Sequence, residues 1–263
     1  MPNTLPKLVV FITGAFFGHN CWDEWKLYFE SKGYTTVAPA WPPKDCPPEE
    51  LRNRHPDAAI ASARLANMTD YFASIIADLP ERPILIGHSL GGLIVQLLLQ
   101  RGLGVAGVAM HSFPPYGLSI FKFSFIQEWW EALGLITGAR TSYLISFIKW
   151  HHSIANGMPC EQQKQSYYAY AIPESKRLIR DAFTSLSKIN FKTPHAPLLI
   201  TSGSQDRLVP AILNYDTYKK YKTVDSITDY KEFEGHNHLV FGESFWMEEA
   251  VFIFFWLQGI ENI

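Results

Sequence analysis

The run Gly87-His88-Ser89-Leu90-Gly91, with Gly92 behind it, has the residue types and spacing of a nucleophile turn. A serine hydroxyl is a weak nucleophile near neutral pH, so it needs a base to take its proton and an acid to orient that base. Here the serine follows an apolar stretch, Pro83-Ile84-Leu85-Ile86, and precedes a helix-like segment from Leu90 to Arg101. Strand, G-x-S-x-G and helix in that order make a sharp turn that lifts the hydroxyl clear of the sheet, on a residue facing the surface. The flanking glycines let strand and helix approach closely. The next amide, that of Leu90, then lies at a helix N-terminus and faces developing negative charge. An ordinary Gly-rich turn with an incidental serine would match so short a pattern. Two downstream residues argue against coincidence.

The first is Asp206, in Thr201-Ser202-Gly203-Ser204-Gln205-Asp206-Arg207-Leu208-Val209-Pro210, just after an apolar run. Alone, an aspartate there would read as the cap of the next helix; with the serine it reads as the acid, and Asp225 and Asp229 are the next candidates. The second is a histidine, His236 or His238, in Phe233-Glu234-Gly235-His236-Asn237-His238-Leu239. A loop after the first apolar run, Thr13 to Asn20, reads either as a plain Gly-rich turn or as the source of the second amide of an oxyanion-binding pair, with Ala15 the candidate and Phe16 the alternative. His111, at the end of the fourth run, reads equally as packing or as substrate contact. His151 and His152, adjacent in a helix, point about 100° apart and do not readily share a metal. The sequence shows no His-Glu-x-x-His and no other cluster of histidines and carboxylates, so no metal and no cofactor is expected.

These residues sit on alternating elements. Strand-like runs cover Leu8–Ile12, Thr35–Ala38, Pro83–Ile86, Val105–Met110, Pro197–Thr201 and Ser226–Phe233. Helical patterns cover Trp22–Ser31, one long segment from Ala58 to Leu79, and Met247–Gln258. Such alternation predicts a mostly parallel sheet covered on both faces, with ligands beyond the carboxyl ends of its strands. The candidate serine, acid and base each follow a strand of their own.

On these residues the chain resembles the serine α/β-hydrolases of the small esterase, lipase and lactonase type, over nearly its whole length except a middle insertion. The order Ser89, Asp206, His is that family's order. Its base commonly follows an aromatic, a glycine and two spacers and precedes an apolar stretch and Gly-Glu; Phe233 to Glu243 resembles this with His238 as the base and His236 on a spacer. The resemblance implies an α/β-hydrolase fold of about six strands, since two of the family's early strands are missing here. It also implies an oxyanion hole from Ala15 and Leu90, although Thr13 stands where the family usually has histidine. Within the fold, Ser89 argues against the branches whose nucleophile is Asp or Cys. Leu239 after the base argues against plant-type hydroxynitrile lyases, which carry Lys there.

The composition fits this reading. The 263 residues are 47% hydrophobic, enough for one large α/β domain with an insertion. A net charge of −2 with scattered basic residues gives no footprint for nucleic acid. Cys21, Cys46 and Cys160 are widely spaced, as free thiols are. The N-terminus lacks a signal pattern, and the longest apolar runs fall short of the roughly 20 residues that span a bilayer. A cytoplasmic protein is expected, with no membrane span and a small apolar ester or related molecule as its partner. The oligomeric state stays open.

The alternation breaks from 112 to 183, a stretch expected to form a helical cap, with 1–111 and 184–263 as the hydrolase core. Its aromatic residues, among them Trp129, Trp130, Tyr143, Phe147 and Trp150, either pack the cap itself or line an apolar acyl pocket. In the second case Trp129 and Trp130 join Phe16 and Phe17 around the substrate. The function expected is hydrolysis of a carboxylic ester, thioester or lactone. Cofactor-free perhydrolysis and C–C bond hydrolysis share the triad. A ligand receptor on a hydrolase scaffold would also keep it, and turnover of p-nitrophenyl acetate separates that class from the enzymes.

Overall fold

Leu8–Ile12 is apolar throughout and buried throughout, as an inner strand of a parallel sheet must be. The computed structural model describes residues 5–118, 123–134, 138–221, 226–242 and 244–260. Its main sheet has six strands: β1 (Leu8–Ile12), β2 (Thr35–Val37), β3 (Ile84–His88), β4 (Ala106–Met110), β5 (Leu198–Gly203) and β6 (Thr228–Phe233). They lie in the order β2-β1-β3-β4-β5-β6, every pair parallel. This is the expected six-stranded α/β-hydrolase sheet, and each strand falls within a residue or two of its apolar run.

The longer helices are α1 (Asp23–Ser31), α2 (Leu65–Ala77), α3 (Leu90–Gln100), α4 (Phe123–Leu133), α5 (Cys160–Tyr170), α6 (Lys176–Ala182), α7 (Ala211–Tyr221) and α8 (Ser244–Ile260). Helix α3 is buried from Leu90 to Leu99 and packs on β3 and β4. It can lie so close because Gly91 has no side chain: a Cβ there would stand 2.0 Å from the Ile12 carbonyl oxygen. Among the described residues, no helix is long and apolar enough to cross a membrane. All three cysteines are free.

The single helix expected from Ala58 to Leu79 is two. A short helix, Ala58–Ser62, ends at Ala63 and Arg64, both extended, and α2 restarts at Leu65. The break is capped by distant residues. Asp181 accepts from the Leu65 amide at 3.2 Å and from Arg64 Nε and Nη2 at 2.6 and 2.7 Å. Ser175 donates to the Ala61 and Ala63 carbonyls, at 3.1 and 2.8 Å. Periodicity along the chain carries no trace of such caps.

Between β4 and β5 the chain leaves the sheet. It forms α4, a short turn Phe147–Lys149 that widens into a π-turn over Trp150–Ile154, then α5 and α6, with a two-residue antiparallel pair of Ser142–Tyr143 and Glu174–Ser175. This excursion is fastened across the carboxyl ends of the strands. The Ile172 amide donates to the Phe16 carbonyl and the Gly18 amide to the Tyr170 carbonyl, at 2.9 and 3.0 Å. The Leu239 amide donates to the Ile154 carbonyl at 3.1 Å. A buried ion pair, Lys44 Nζ to Glu174 Oε2 at 2.6 Å, ties in the Pro-rich loop after β2.

Candidate active site

Ser89 ends β3 and caps α3 with φ 55° and ψ −119°, a conformation uncommon for any residue with a Cβ. The surroundings enforce it. Its amide donates to the Met110 carbonyl at 2.8 Å, and its carbonyl accepts from Phe113 and Gly92, at 2.9 and 3.0 Å. Phe16 and His111 also have positive φ, 71° and 45°. These three are the only non-glycine residues with positive φ among those described, and each lies just beyond the end of a strand: β1, β3 and β4.

Asp206 follows β5 and His238 follows β6, and their side chains meet. His238 Nδ1 donates to Asp206 Oδ2 at 2.7 Å, with both groups fully buried. The Val209 amide holds the other carboxylate oxygen at 2.7 Å. With its proton on Nδ1, His238 turns the lone pair of Nε2 away from the acid. Both His238 Nε2 and Ser89 Oγ are buried with no hydrogen-bond partner among the described residues. His88 sits 4.6 Å from His238, ring to ring, and its Nε2–H holds the His238 carbonyl at 2.9 Å. Burial, with His238 and His111 close by, pushes His88 well below the usual histidine range and keeps it neutral.

The loop after β1 lies directly on the serine turn. A Cβ on Gly14 would stand 2.8 Å from both the His88 carbonyl oxygen and Ser89 Cβ. Ala15 is therefore carried up to the serine, and the positive φ of Phe16 turns the chain so that its carbonyl serves the Ile172 amide. Thr13 accepts from Trp22 Nε1 at 3.1 Å, which supports the loop where the family usually has a histidine. The Leu90 amide, first in α3, has no partner within the helix by position.

Of the expected substrate residues, Phe16 and Trp129 are brought together, and Phe17 packs against His88. Phe16 stacks on Trp129 at 5.8 Å and meets Tyr143 edge-on at the same distance. Phe17 turns the other way and packs among His88, Trp150 and Phe241, at 5.1 to 5.4 Å. Trp130 is not brought there: adjacent to Trp129 on α4, it points about 100° away and is 47% exposed.

The serine also differs from expectation. Instead of standing clear at the surface, Ser89 is only 1% exposed, with the loop after β1 packed on its Cβ. Asp229, an alternative acid, is exposed and accepts from Trp256 Nε1 at 2.7 Å, away from the histidines. Asp225 and Glu243 lie outside the described residues. His151 pairs with Gln163, and exposed Arg207 reaches His152, so the adjacent histidines serve separate contacts.

Contrary to the sequence expectation, histidines and a carboxylate do cluster. His111, Asp206 and His238 bring their side-chain ligand atoms within 4.8 Å of one another. Their contacts are hydrogen bonds, both Nδ1 atoms facing the same Asp206 oxygen at 2.7 and 3.1 Å. Glu249 of α8, which sequence reading missed, lies behind His111. Its one visible signal is position: Glu249 is in step with Ile253 and Leu257 at intervals of four, on the buried face of an apolar helix.

The chain belongs to the α/β-hydrolase family, whose model matches residues 9–250. No curated protein sequence matches it at a significant level. Among solved structures, it is similar to a methylesterase from Arabidopsis at 16% identity, covering 94% of this chain and 97% of that one, TM-score 0.66. A monoacylglycerol lipase from Paleococcus ferrophilus aligns at 21% identity over 97% and 95%, TM-score 0.67. An extracellular α/β-hydrolase from a Paenibacillus species aligns at 18% identity over 94% and 98%, TM-score 0.69.

Proposed function

We propose that this protein is a serine hydrolase that cleaves a carboxylic ester with an apolar acyl portion. One observation carries the reading. A serine on a strained turn and a histidine nitrogen freed by its aspartate are both buried without a partner among the described residues, in the chain order of a Ser-Asp-His triad. The methylesterase and the lipase are ester-cleaving by name, a pyrethroid hydrolase from Sphingobium faniae, also among the similar structures, is a hydrolase by name, and all three support the same class.

In this mechanism His238 Nε2 takes the Ser89 proton as Oγ attacks the ester carbonyl carbon. The Leu90 and Ala15 amides hold the resulting oxyanion. As the tetrahedral intermediate collapses, His238 returns the proton to the departing alcohol oxygen and the acyl group stays on Ser89. Water then gives a proton to the same nitrogen, attacks the acyl carbon and releases the acid, and the serine regains its proton. Asp206 holds the productive tautomer throughout. Residues 112–183 act as the cap, with Phe16 and Trp129 on the acyl side.

Two measurements test this. A fluorophosphonate should label wild-type protein at Ser89, and unlabelled protein should turn over p-nitrophenyl acetate many times; labelling without such turnover would favour a receptor. In a p-nitrophenyl ester series, kcat/KM should rise from acetate by at most about fourfold per methylene until the pocket fills, because each CH2 contributes about 0.8 kcal/mol. Acyl groups carrying a charge should be poor, since an unpaired carboxylate is costly to bury. A flat series would reject the apolar pocket and leave the nucleophile assignment standing.

A further inference from the structure

Behind the acid, the hydrogen-bonded network continues. Asp206 Oδ2 accepts from a second imidazole, His111 Nδ1, at 3.1 Å. The other nitrogen of that ring, His111 Nε2, lies 3.0 Å from Glu249 Oε1. The same glutamate oxygen faces His236 Nδ1 at 3.0 Å, and His236 Nε2 reaches exposed Glu248 at 3.1 Å. The side chains of His111, Asp206 and Glu249 are fully buried.

A neutral imidazole has one N–H. Between two ionised carboxylates it would turn a lone pair toward one of them, so both contacts are hydrogen bonds only when the ring carries both protons. The charges agree. Burial works against a charged His111, but Glu249 and Asp206 outweigh it and push the ring up to about 10. Burial likewise opposes ionisation of Asp206, and the neighbouring His238 and His111 overcome it and hold the acid below its usual range. The groups facing His111 come from four elements: Asp206 after β5, Glu249 on α8, His238 after β6 at 6.1 Å and His88 on β3 at 6.2 Å, ring to ring. Its backbone is fixed too, the amide donating to the Thr201 carbonyl at 2.9 Å. The ring fits because Gly203 is bare: a Cβ there would stand 2.9 Å from His111 Cε1.

We propose that His111, anchored by Glu249, is a positioning residue that fixes the orientation and charge of the Asp206 carboxylate, and so extends the Ser89–His238–Asp206 arrangement by two members. The proposal rests on the serine hydrolase reading for its effect on rate, while the protonation of His111 can be read without any activity.

The direct test is nitrogen NMR of histidine-labelled wild-type protein. His111, assigned by its absence in His111→Asn, should show both ring nitrogens protonated at pH 8. In Glu249→Gln, which keeps the shape and removes the charge, the second proton should be gone at that pH. The rate test uses p-nitrophenyl acetate. Loss of a charged hydrogen bond to the acid should lower kcat/KM about ten- to a hundredfold in either variant. In His111→Asn, removing a positive charge about 6 Å from the catalytic imidazole favours its protonated form, so the acid limb of the kcat/KM profile should move up by about one pH unit. A packing role alone would lower the rate and leave that limb in place. If His111→Asn fails to fold, Glu249→Gln provides both the NMR and the rate readouts, with His111 then assigned by elimination from single substitutions of the other histidines. A neutral His111 at pH 8 in the wild type overturns the proposal, as does an unmoved limb or an undiminished rate. Absence of fluorophosphonate labelling would instead overturn the hydrolase reading, with the NMR result unaffected.

Discussion

The two sides of the His238 ring could hardly differ more. On the Nδ1 side, Asp206 accepts two imidazole N–H groups and a backbone amide, and Glu249 closes the network from α8. On the Nε2 side, His238 Nε2 and the nucleophile's Ser89 Oγ are both buried with no partner among the described residues. Unpaired buried polar atoms are costly, and a fold tolerates them where they have a task. The contrast separates two demands on one imidazole. Its proton must be held in one place, and its lone pair must be left available.

Damage to the unpaired side should be the most severe. Ser89→Ala is expected to lose about a millionfold in kcat on p-nitrophenyl esters and all fluorophosphonate labelling. His238→Ala should match it, whereas His236→Ala, on the far side of Glu249, should lose less than about tenfold. If His236→Ala proved the more damaging, the base would belong to the paired network, and the contrast between the two sides would collapse.

On the paired side, Asp206→Asn should cost about ten thousandfold in kcat and leave measurable turnover, because an amide NH2 facing Nδ1 donates to it and favours the wrong tautomer of the histidine. Steady-state kinetics on the purified variant decide this. Near wild-type activity would show that the acid lies elsewhere.

Much of the nucleophile side was legible in the sequence. The glycines around Ser89 and the apolar runs before it and before Asp206 report local geometry, and local geometry is what periodicity and turn chemistry encode. The resemblance of Phe233 to Glu243 to the family's pattern selected His238, and the structure joins it to Asp206. The paired side was not legible in the same way. His111 and Glu249 are 138 positions apart, and neither carries a pattern that names the other. Ser89 was expected at the surface because nothing in its own segment shows that the loop after β1 packs on it. Trp130 was grouped with Trp129 by adjacency, while a helix sends neighbours to different faces. The break before Leu65 was hidden for the same reason, its cap being supplied by Asp181.

The three residues with positive φ, Phe16, Ser89 and His111, also bear on thermal stability. Backbone held in such regions costs on the order of 1 kcal/mol or more per residue, and the rest of the fold offsets it. Glycine meets little of that cost. Ser89→Gly is therefore expected to give an inactive protein that melts higher than the wild type by about 2 °C, as measured by thermal unfolding. The chain would then trade resistance to heat for a hydroxyl held ready to react.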